Sequence, residues 1–192
     1  METRRGHDDA MRSYRPEIEE AARAAGISAD LVEAVVRVES AGDPWAWNPE
    51  PRYRYLWDVR KKRPFRALTP AERASEVPPP DFGVLVGDRD QEWWAQQASW
   101  GLMQIMGAVA REQGFSGPYL PAICEAAVNL AIGAKVLLGL LLWANDDLAK
   151  AVAAYNAGRG GWRSTTGQDY AAKVLHTLRR LTDVERAGES LK

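Results

Sequence analysis

Cysteine is almost absent from this sequence: its one residue, Cys124, excludes an internal disulfide and any zinc site built from several cysteines. Cys124 stands in the segment PAICEAAVNL, among small apolar side chains. Such a setting is typical of a thiol that packs inside a helical core rather than one that reacts with a substrate. We therefore expect Cys124 to be a buried core residue.

The chain also lacks a strong charge of either sign. Its 25 basic and 26 acidic residues give a formal net charge of −1, which provides no basic field to attract nucleic acid or anionic lipid. A length of 192 residues suffices for one well-buried domain. The sequence predicts a single domain over residues 1–192, a monomer, with no nucleic-acid partner.

Long apolar runs are missing as well. The longest, VLLGLLLWA from Val136 to Ala144, is less than half of the ~20 residues that cross a bilayer, so we assign it to a core helix and expect no membrane span. The N-terminal segment METRRGHDDAMRSYRPEIEE is charged throughout and lacks the apolar stretch of a secretory signal. We expect a protein that is made in the cytoplasm without a signal peptide.

Alternating strand patterns are scarce, whereas helical patterns are frequent. Pro16 is expected to open a first helix that ends at Gly26, and Ser28 and Asp30 supply capping groups for the next. From Gly101 onward the sequence predicts helix almost throughout, in the segments MGAVAREQG, PAICEAAVNLAIGAKVLLGLLLWAN, DDLAKAVAAYNAG and QDYAAKVLHTLRRLTDVER. The fold class is therefore mainly α, and residues 184–192 are predicted to form a flexible tail.

Residues 45–98 differ in composition and are predicted to form a long, loop-rich and aromatic-rich insertion. The stretch contains the basic run RKKRPF, three consecutive prolines at 78–80, and five of the eight tryptophans. We expect no second hydrophobic core here, and at most a short ribbon around FGVLV.

One carboxyl group conflicts with the helical pattern of LVEAVVRVES, residues 31–40. At roughly 100° per residue, Glu39 falls within the apolar arc, whereas the other polar residues cluster opposite. A carboxyl in apolar surroundings loses hydration in its charged form, so its pKa rises and it can act as a general acid near neutral pH. Periodicity alone leaves open that Glu39 turns to solvent or pairs with an arginine such as Arg111.

Three short strings follow one another along the chain: ES at residues 39–40, SWGLMQIM at 99–106 and AAYNAG at 153–158. Together with Asp43-Pro44 after the first string, and with Asn129, Gly133 and Leu137 on the long helix, they resemble the catalytic domain of the soluble lytic transglycosylases, relatives of goose-type lysozyme. The resemblance extends over roughly residues 16–180. It implies a lysozyme-like helical domain with a cleft, which acts on the glycan strands of peptidoglycan.

The resemblance also implies a catalytic role for Glu39, because the glutamate of ES is the sole catalytic carboxyl in that family. Glu39 would protonate the oxygen of the β-1,4 bond between N-acetylmuramic acid and N-acetylglucosamine. It would then take the proton of the muramoyl 6-hydroxyl, so that a 1,6-anhydro sugar forms. Such a reaction needs no cofactor and no metal.

Seven further residues match family positions that bind substrate or support the cleft: Ser40, Ser99, Gly101, Met103, Gln104, Tyr155 and Asn156. By the resemblance, Ser40 orients the glutamate or caps its helix, and Gln104 hydrogen-bonds an acetamido group beside Met103. Tyr155 places its hydroxyl near the catalytic carboxyl, while Asn156 steadies the following turn. Gly101 permits the backbone to pass close to the sugar or to the glutamate helix, and Ser99 lines a subsite.

The sequence departs from the family at two places. Glu125-Ala126 stand where the long helix commonly begins with Asp-Pro, and the insertion is much longer than in compact members. Such insertions resemble those of phage and prophage wall-degrading enzymes, which would act after release from the cell or within a particle. The tryptophans of the insertion either cover the underside of the loop or stack on sugars along a groove.

Three alternatives remain open. A second carboxyl opposite Glu39 would permit hydrolysis, as in a lysozyme-type muramidase, and the insertion offers four candidates: Glu50, Asp58, Glu72 and Asp81. A cysteine amidase would use Cys124 as nucleophile and His176 as base, which requires an exposed thiol. A glycan-binding or virion module would keep the fold without turnover.

Overall fold

The computed structural model describes residues 2–51 and 53–189, with side-chain surroundings for residues 11–51 and 53–183. Helices dominate this part of the chain, which confirms the mainly α fold class. They are α1 (Glu2–Ala25), α2 (Ala29–Glu39), α3 (Pro70–Ala74), α4 (Arg89–Gln96), α5 (Gly107–Glu112), α6 (Ala126–Ala144), α7 (Leu148–Gly161) and α8 (Thr165–Glu189). The strands are short: β1 (Trp47–Pro49), β2 (Trp57–Asp58), β3 (Arg63–Pro64), β4 (Ala98–Trp100) and β5 (Ile105–Met106).

The main core forms where the long helices meet. Helix α6 packs against both α1 and α7, and α2 packs against α1 and α8. Each of these helices contributes fully buried side chains, among them Ile18, Val35, Leu137, Val152 and Val174. Burial of one such side chain contributes about 1.5–3 kcal/mol, so this layer fixes the position of α2 and of the glutamate at its end.

Helix α1 begins well before Pro16, so the expectation that this proline opens the first helix is wrong. Proline is costly inside a helix because it removes a backbone donor and crowds the preceding turn. Tertiary contacts offset that cost: Met11 is buried in the core, and the guanidinium of Arg15 lies 2.9 Å from Asp30 and 2.7 Å from Glu33. These contacts tie the part of α1 before the proline to α2.

Helix α2 is buried on its polar face as well as on its apolar face. Its N-cap is Ser28, as predicted, but Asp30 pairs with Arg15 of α1. Glu33 is only 6% exposed, and its carboxylate is balanced by Arg15 and by Arg37 at 2.8 Å. A buried charge is tolerated when it is paired, so contacts with α1 make this face compatible with the core.

The segment predicted as one long helix from residue 121 onward is divided in two. A 3₁₀ helix spans Leu120–Cys124, and α6 starts only at Ala126. The residue between them, Glu125, has extended backbone angles, φ −58° and ψ 125°. The break separates the 3₁₀ segment from α6, and it occurs at Glu125-Ala126, one of the two places where the sequence departs from the family that it resembles.

In the described part of the chain, α6 is the one helix that is long and apolar enough to cross a bilayer by length and composition, with 19 residues and a mean hydropathy of 1.9. A central helix of a folded domain has the same composition. Helix α6 buries Leu130, Leu137 and the polar Asn129, and it packs against α1 and α7. These contacts fit the core helix expected from the sequence.

The structure contains two small antiparallel sheets that the sequence did not predict. In the first, β4 lies between β1 and β5, so that Trp47 is opposite Trp100 and Ser99 is opposite Met106. In the second, β2 pairs with β3. The FGVLV segment contains no strand, because Phe82 packs into a hydrophobic cluster instead of pairing across a ribbon.

That cluster shows that the insertion has a small core of its own, contrary to expectation. Leu56, Leu68, Phe82 and Trp93 are buried together. The rings of Phe82 and Trp93 meet edge to face, with centroids 5.1 Å apart, a favourable geometry for aromatic pairs. Trp93 is therefore a core residue of the insertion and does not form a surface for sugars.

A buried ion pair joins the insertion to the rest of the protein. Arg111 of α5 lies 2.7 Å from Glu92 of α4, with side chains that are 1% and 3% exposed. Arg111 also donates to the carbonyl oxygens of Phe115 and Gly117. Because its donors are engaged in this way, Arg111 is the partner of Glu92 and not of Glu39.

Helices α7 and α8 complete the core. Asp147 caps α7 by accepting from the N–H of Lys150 at 3.0 Å, and Gly158 interrupts its helical geometry at φ 71°. Helix α8 continues to Glu189, into the stretch 184–192 that was predicted to be a flexible tail. Residues 190–192 lie outside the described part of the chain.

Candidate active site

Glu39 is the last residue of α2, and hydrogen bonds fix the loop that follows it. The hydroxyl of Ser40 donates to the carbonyl oxygen of Leu102 at 2.8 Å and accepts from the N–H of Gly42 at 3.2 Å. Ala41 and Gly42 both have positive φ, 54° and 87°, so the chain turns sharply after the helix. Ser40 thereby holds the GLMQ segment against the end of the glutamate helix.

The carboxyl group of Glu39 is partly buried and has one hydrogen-bond partner among the described residues. The hydroxyl of Tyr170, in α8, donates to its Oε1 at 2.6 Å. Lost hydration raises the pKa of Glu39 from 4.5 to about 7, and the hydrogen bond from Tyr170 acts in the opposite direction. The group can therefore hold and release a proton close to neutral pH.

Two tyrosines stack beside this carboxyl. The rings of Tyr155 and Tyr170 are nearly parallel, at 8°, with centroids 6.4 Å apart. The family resemblance implies the hydroxyl of Tyr155 near the catalytic carboxyl, but this hydroxyl donates to the carbonyl oxygen of Met103 at 2.8 Å. Burial, and after it a charged Glu39, raises the pKa of both tyrosines, so both rings lie within the field of that carboxylate.

Gly101 permits a close backbone approach, but toward Asn129 rather than toward the glutamate helix. It has φ 73°, and a Cβ atom there would lie 2.5 Å from the Nδ2 atom of Asn129. Asn129 is fully buried; its Oδ1 accepts from the N–H of Met103 at 2.8 Å, and its Nδ2 donates to the carbonyls of Trp100 and Ile123. One amide of α6 thus supports the whole GLMQ turn.

Gln104 has its side chain engaged within the protein. Its Nε2 donates to the carbonyl oxygens of Ala46 and Gly101, each at 3.0 Å, and its Oε1 accepts from the hydroxyl of Ser99 at 2.9 Å. The backbone of Gln104 has φ 46°, a left-handed conformation that costs a non-glycine residue about 1–2 kcal/mol. These three hydrogen bonds hold that conformation and join the GLMQ turn to the segment after Glu39.

Four chain segments therefore meet around one carboxyl group: the end of α2, the GLMQ turn, α7 and α8. The profile of the family described as Transglycosylase SLT domain matches residues 16–177. The chain belongs to this family. No individual curated protein matches the chain. Members of the SLT family are lytic transglycosylases, which cleave glycosidic bonds in peptidoglycan, so this SLT domain is an enzyme with peptidoglycan as its substrate.

Met103 of the SLT domain is fully buried. Its side chain fills the space over Gly133 of α6, where a Cβ atom would collide with the sulfur. The structure therefore buries the Met103 side chain against α6, whereas its backbone N–H donates to Asn129 and its carbonyl oxygen accepts from the hydroxyl of Tyr155. Its match to the family reflects packing of the GLMQ turn onto α6.

Asn156 occupies a different position from the other motif residues. It lies on α7, two residues before the kink at Gly158, and its side chain is exposed. Within the described residues that side chain makes no hydrogen bond, so it does not steady the turn. Its side chain is exposed to solvent next to Tyr155.

The four other candidate carboxyls of the insertion have partners of their own. Glu72 and Asp81 both pair with Arg66 at 2.7 Å, and the pKa of each is lowered by that guanidinium. Asp58 is buried and caps the turn at residues 60–61. Glu50 accepts from the side chain of Asn48 at 2.6 Å. In the described part of the chain none of them contacts Glu39.

The thiol of Cys124 does not fit a nucleophile. It is 4% exposed, and burial raises its pKa, whereas a reactive cysteine needs a lowered pKa and access to substrate. His176 lies on α8 and is exposed. The SLT domain therefore has no cysteine–histidine pair at these positions, in agreement with its family.

The residue in contact with Glu39 that the sequence did not indicate is Tyr170. It lies in QDYAAKVLHTLRRLTDVER, where it reads as one apolar residue of an amphipathic helix, and it is 131 positions from Glu39. A signal was present, because a tyrosine on the buried face of a helix needs a partner for its hydroxyl. The helical pattern does not indicate which residue accepts the hydrogen bond from that hydroxyl.

Proposed function

We propose that this SLT domain is a lytic transglycosylase in which Glu39 acts first as acid and then as base, with a 1,6-anhydromuramoyl end as product. One observation supports this proposal above the others. Glu39 combines partial burial, a pKa raised to about 7 and a single hydrogen bond, from Tyr170. A carboxyl that is protonated near neutral pH and has one free oxygen is suited to general acid catalysis.

In the first step Glu39 gives its proton to the glycosidic oxygen. Its Oε1 already accepts from Tyr170, so the acidic proton is expected on Oε2, which has no partner among the described residues. The bond between C1 of N-acetylmuramic acid and this oxygen then breaks, and the N-acetylglucosamine part leaves with a hydroxyl group. Tyr170 stabilises the carboxylate that remains, because hydrogen bonds to charged groups are the stronger ones.

In the second step the Glu39 carboxylate takes the proton of the muramoyl 6-hydroxyl. The freed oxygen attacks C1 of the same sugar and closes the 1,6-anhydro ring. Glu39 ends as the protonated acid with which it began, and no water is consumed. The cycle therefore balances with one carboxyl group, and requires neither metal nor cofactor.

The surroundings of Glu39 favour this reaction over hydrolysis. Glycoside hydrolysis uses, in most families, a second carboxyl that serves as nucleophile or activates water. Here the four candidate carboxyls of the insertion are engaged elsewhere, with Arg66, Lys61 or Asn48. The pKa of Glu39 is raised by burial and not by a neighbouring carboxylate. An intramolecular hydroxyl can take the place of the missing second group.

The test compares wild type with Glu39→Gln on purified peptidoglycan, with Glu50→Gln as the matched control. Glu50 is an exposed carboxyl of the insertion that carries no role in the proposed reaction. We expect Glu39→Gln to lose about 10²- to 10⁴-fold in release of soluble muropeptides, because the acid is removed, and Glu50→Gln to retain activity. Equal release by wild type and Glu39→Gln would refute the catalytic role.

Mass spectrometry of the products separates the two reactions. A 1,6-anhydro end has the mass of the hydrolysed muropeptide less one water, and it cannot be reduced with borohydride. We expect anhydro ends as the main product of wild type. Reducible ends as the main product would instead identify a muramidase, and release of nothing by wild type would identify a glycan-binding module.

A further inference from the structure

Two tryptophans directly after the Glu39 loop are unusually exposed. Trp45 is 74% and Trp47 is 57% exposed, whereas Trp93 of the same insertion is 2% exposed. Leaving a large apolar ring in water forgoes about 1.5–3 kcal/mol that burial of such a side chain would contribute. Adjacent exposed aromatic groups commonly mark a binding surface.

The backbone between these tryptophans is held rigidly by the motif residues. The carbonyl oxygen of Ala46 accepts from the N–H of Gly101 at 2.7 Å and from Nε2 of Gln104 at 3.0 Å. The N–H of Trp45 donates to Oδ1 of Asp43 at 2.9 Å. The rings are therefore carried by a fixed segment, so a ligand need not bear the cost of ordering a loop.

Trp47 also has a support behind it. It lies opposite Trp100 across the β1–β4 pair, and the two rings are 6.0 Å apart at an angle of 39°. Trp100 is itself anchored, since its Nε1 donates to the carbonyl oxygen of Ala95 at 3.0 Å. The indole N–H groups of Trp45 and Trp47 have no partner within the described residues. Each can donate to a ligand.

The segment that carries Trp45 and Trp47 is linked to Glu39 through hydrogen bonds to the GLMQ turn. Ser40, next to Glu39, binds the carbonyl of Leu102, and the GLMQ turn that contains Leu102 binds Ala46 through Gln104. Along the chain Trp45 follows Glu39 by six residues, which limits their separation to about 20 Å even if extended. A glycan strand of several sugars bound at Glu39 is long enough to span that distance.

From these observations we infer that Trp45 and Trp47 form a glycan-binding platform that continues the cleft and stacks on sugar rings of the peptidoglycan strand at a distance from the cleaved bond. A pyranose ring presents a flat face of C–H groups and a rim of hydroxyl and acetamido acceptors, which match an indole face and its N–H. The occupant is the glycan and not the peptide stem. This inference rests on the proposed role of Glu39.

The experiment measures KM and kcat for glycan strands freed of stem peptides, with Trp45→Ala, Trp47→Ala and Trp94→Ala. Trp94 is the matched control, since it is an exposed tryptophan of the same insertion, 44% exposed, on α4. We expect Trp45→Ala and Trp47→Ala each to raise KM roughly 3- to 10-fold, with kcat within about twofold of wild type. Trp45→Phe and Trp47→Phe should each have a KM between those of wild type and the alanine variant. The KM of Trp94→Ala should match that of wild type.

Binding without turnover is measured in Glu39→Gln, which keeps all tryptophans. Glycan strands should protect the fluorescence of its exposed indoles from quenching by acrylamide. When Trp45→Ala and Trp47→Ala are both added to Glu39→Gln, most of this protection should disappear. Unchanged KM in both alanine variants, absence of protection, or an equal loss in Trp94→Ala would overturn the platform. An active Glu39→Gln would refute the proposed catalytic role instead, so the two failures are distinct.

Discussion

Replacing Glu39 with glutamine should make the folded protein more stable at high pH, although it removes the proposed catalytic group. Burial raises the pKa of this carboxyl from 4.5 to about 7. The folded protein therefore binds the proton more tightly than the unfolded chain does. The stability from Glu39 is fully present below about pH 4.5 and is lost as the pH rises to about 7.

The size of the effect follows from the two pKa values. A difference of one pKa unit corresponds to about 1.4 kcal/mol. The difference between 4.5 and about 7 therefore lowers the free energy of unfolding by about 3 kcal/mol above neutral pH. A glutamine side chain resembles the protonated acid, since its amide oxygen can still accept from Tyr170. Glu39→Gln should therefore match wild type near pH 4 and exceed its free energy of unfolding by up to about 3 kcal/mol near pH 9.

Urea unfolding of both proteins across this pH range provides the measurement, with Glu50→Gln as an exposed control expected to differ from wild type by less than about 0.5 kcal/mol throughout. The kcat/KM of wild type should fall above about pH 7, because only the protonated carboxyl serves as acid. A difference between wild type and Glu39→Gln that does not change with pH would refute the argument from burial. A loss of stability in Glu39→Gln at every pH would do the same.

Two further predictions concern the groups that hold this site. Tyr170→Phe removes the hydrogen bond that lowers the pKa of Glu39, so the alkaline limb of kcat/KM should move to higher pH and kcat should fall about tenfold; an unchanged limb would contradict the contact. Asn129→Ala leaves three buried backbone groups of the GLMQ turn and its surroundings without their partner. It should cost about 3 kcal/mol in urea unfolding, whereas a cost below about 1 kcal/mol would show that the turn does not depend on this amide.

The structure separates roles that sequence reasoning had grouped together. Ser99, Met103 and Gln104 match family positions at the cleft, yet Met103 is fully buried and the side chains of Ser99 and Gln104 bind each other. A motif match records that a residue type is needed at a position. It does not distinguish a group that touches substrate from one that holds the backbone in place.

The tryptophans illustrate the same limit. Sequence left two interpretations for all of them, a cover beneath a loop or a surface for sugars. In the structure Trp93 supports the first, because it is buried against Phe82, whereas the exposed Trp45 and Trp47 fit the second. Composition is the same in both cases, and only the packing of the insertion divides them.

The sequence by itself determined the helical class, some helix ends such as the Ser28 cap of α2, and the glutamate in an apolar arc, since these depend on local periodicity and capping groups. The tertiary structure alone decided the partner of Glu39. Tyr170 is 131 residues away, and it meets the carboxyl only because α8 packs against α2. Burial and hydrogen bonding set the pKa of that carboxyl, and both are properties of surfaces brought together by folding, which a local pattern cannot specify.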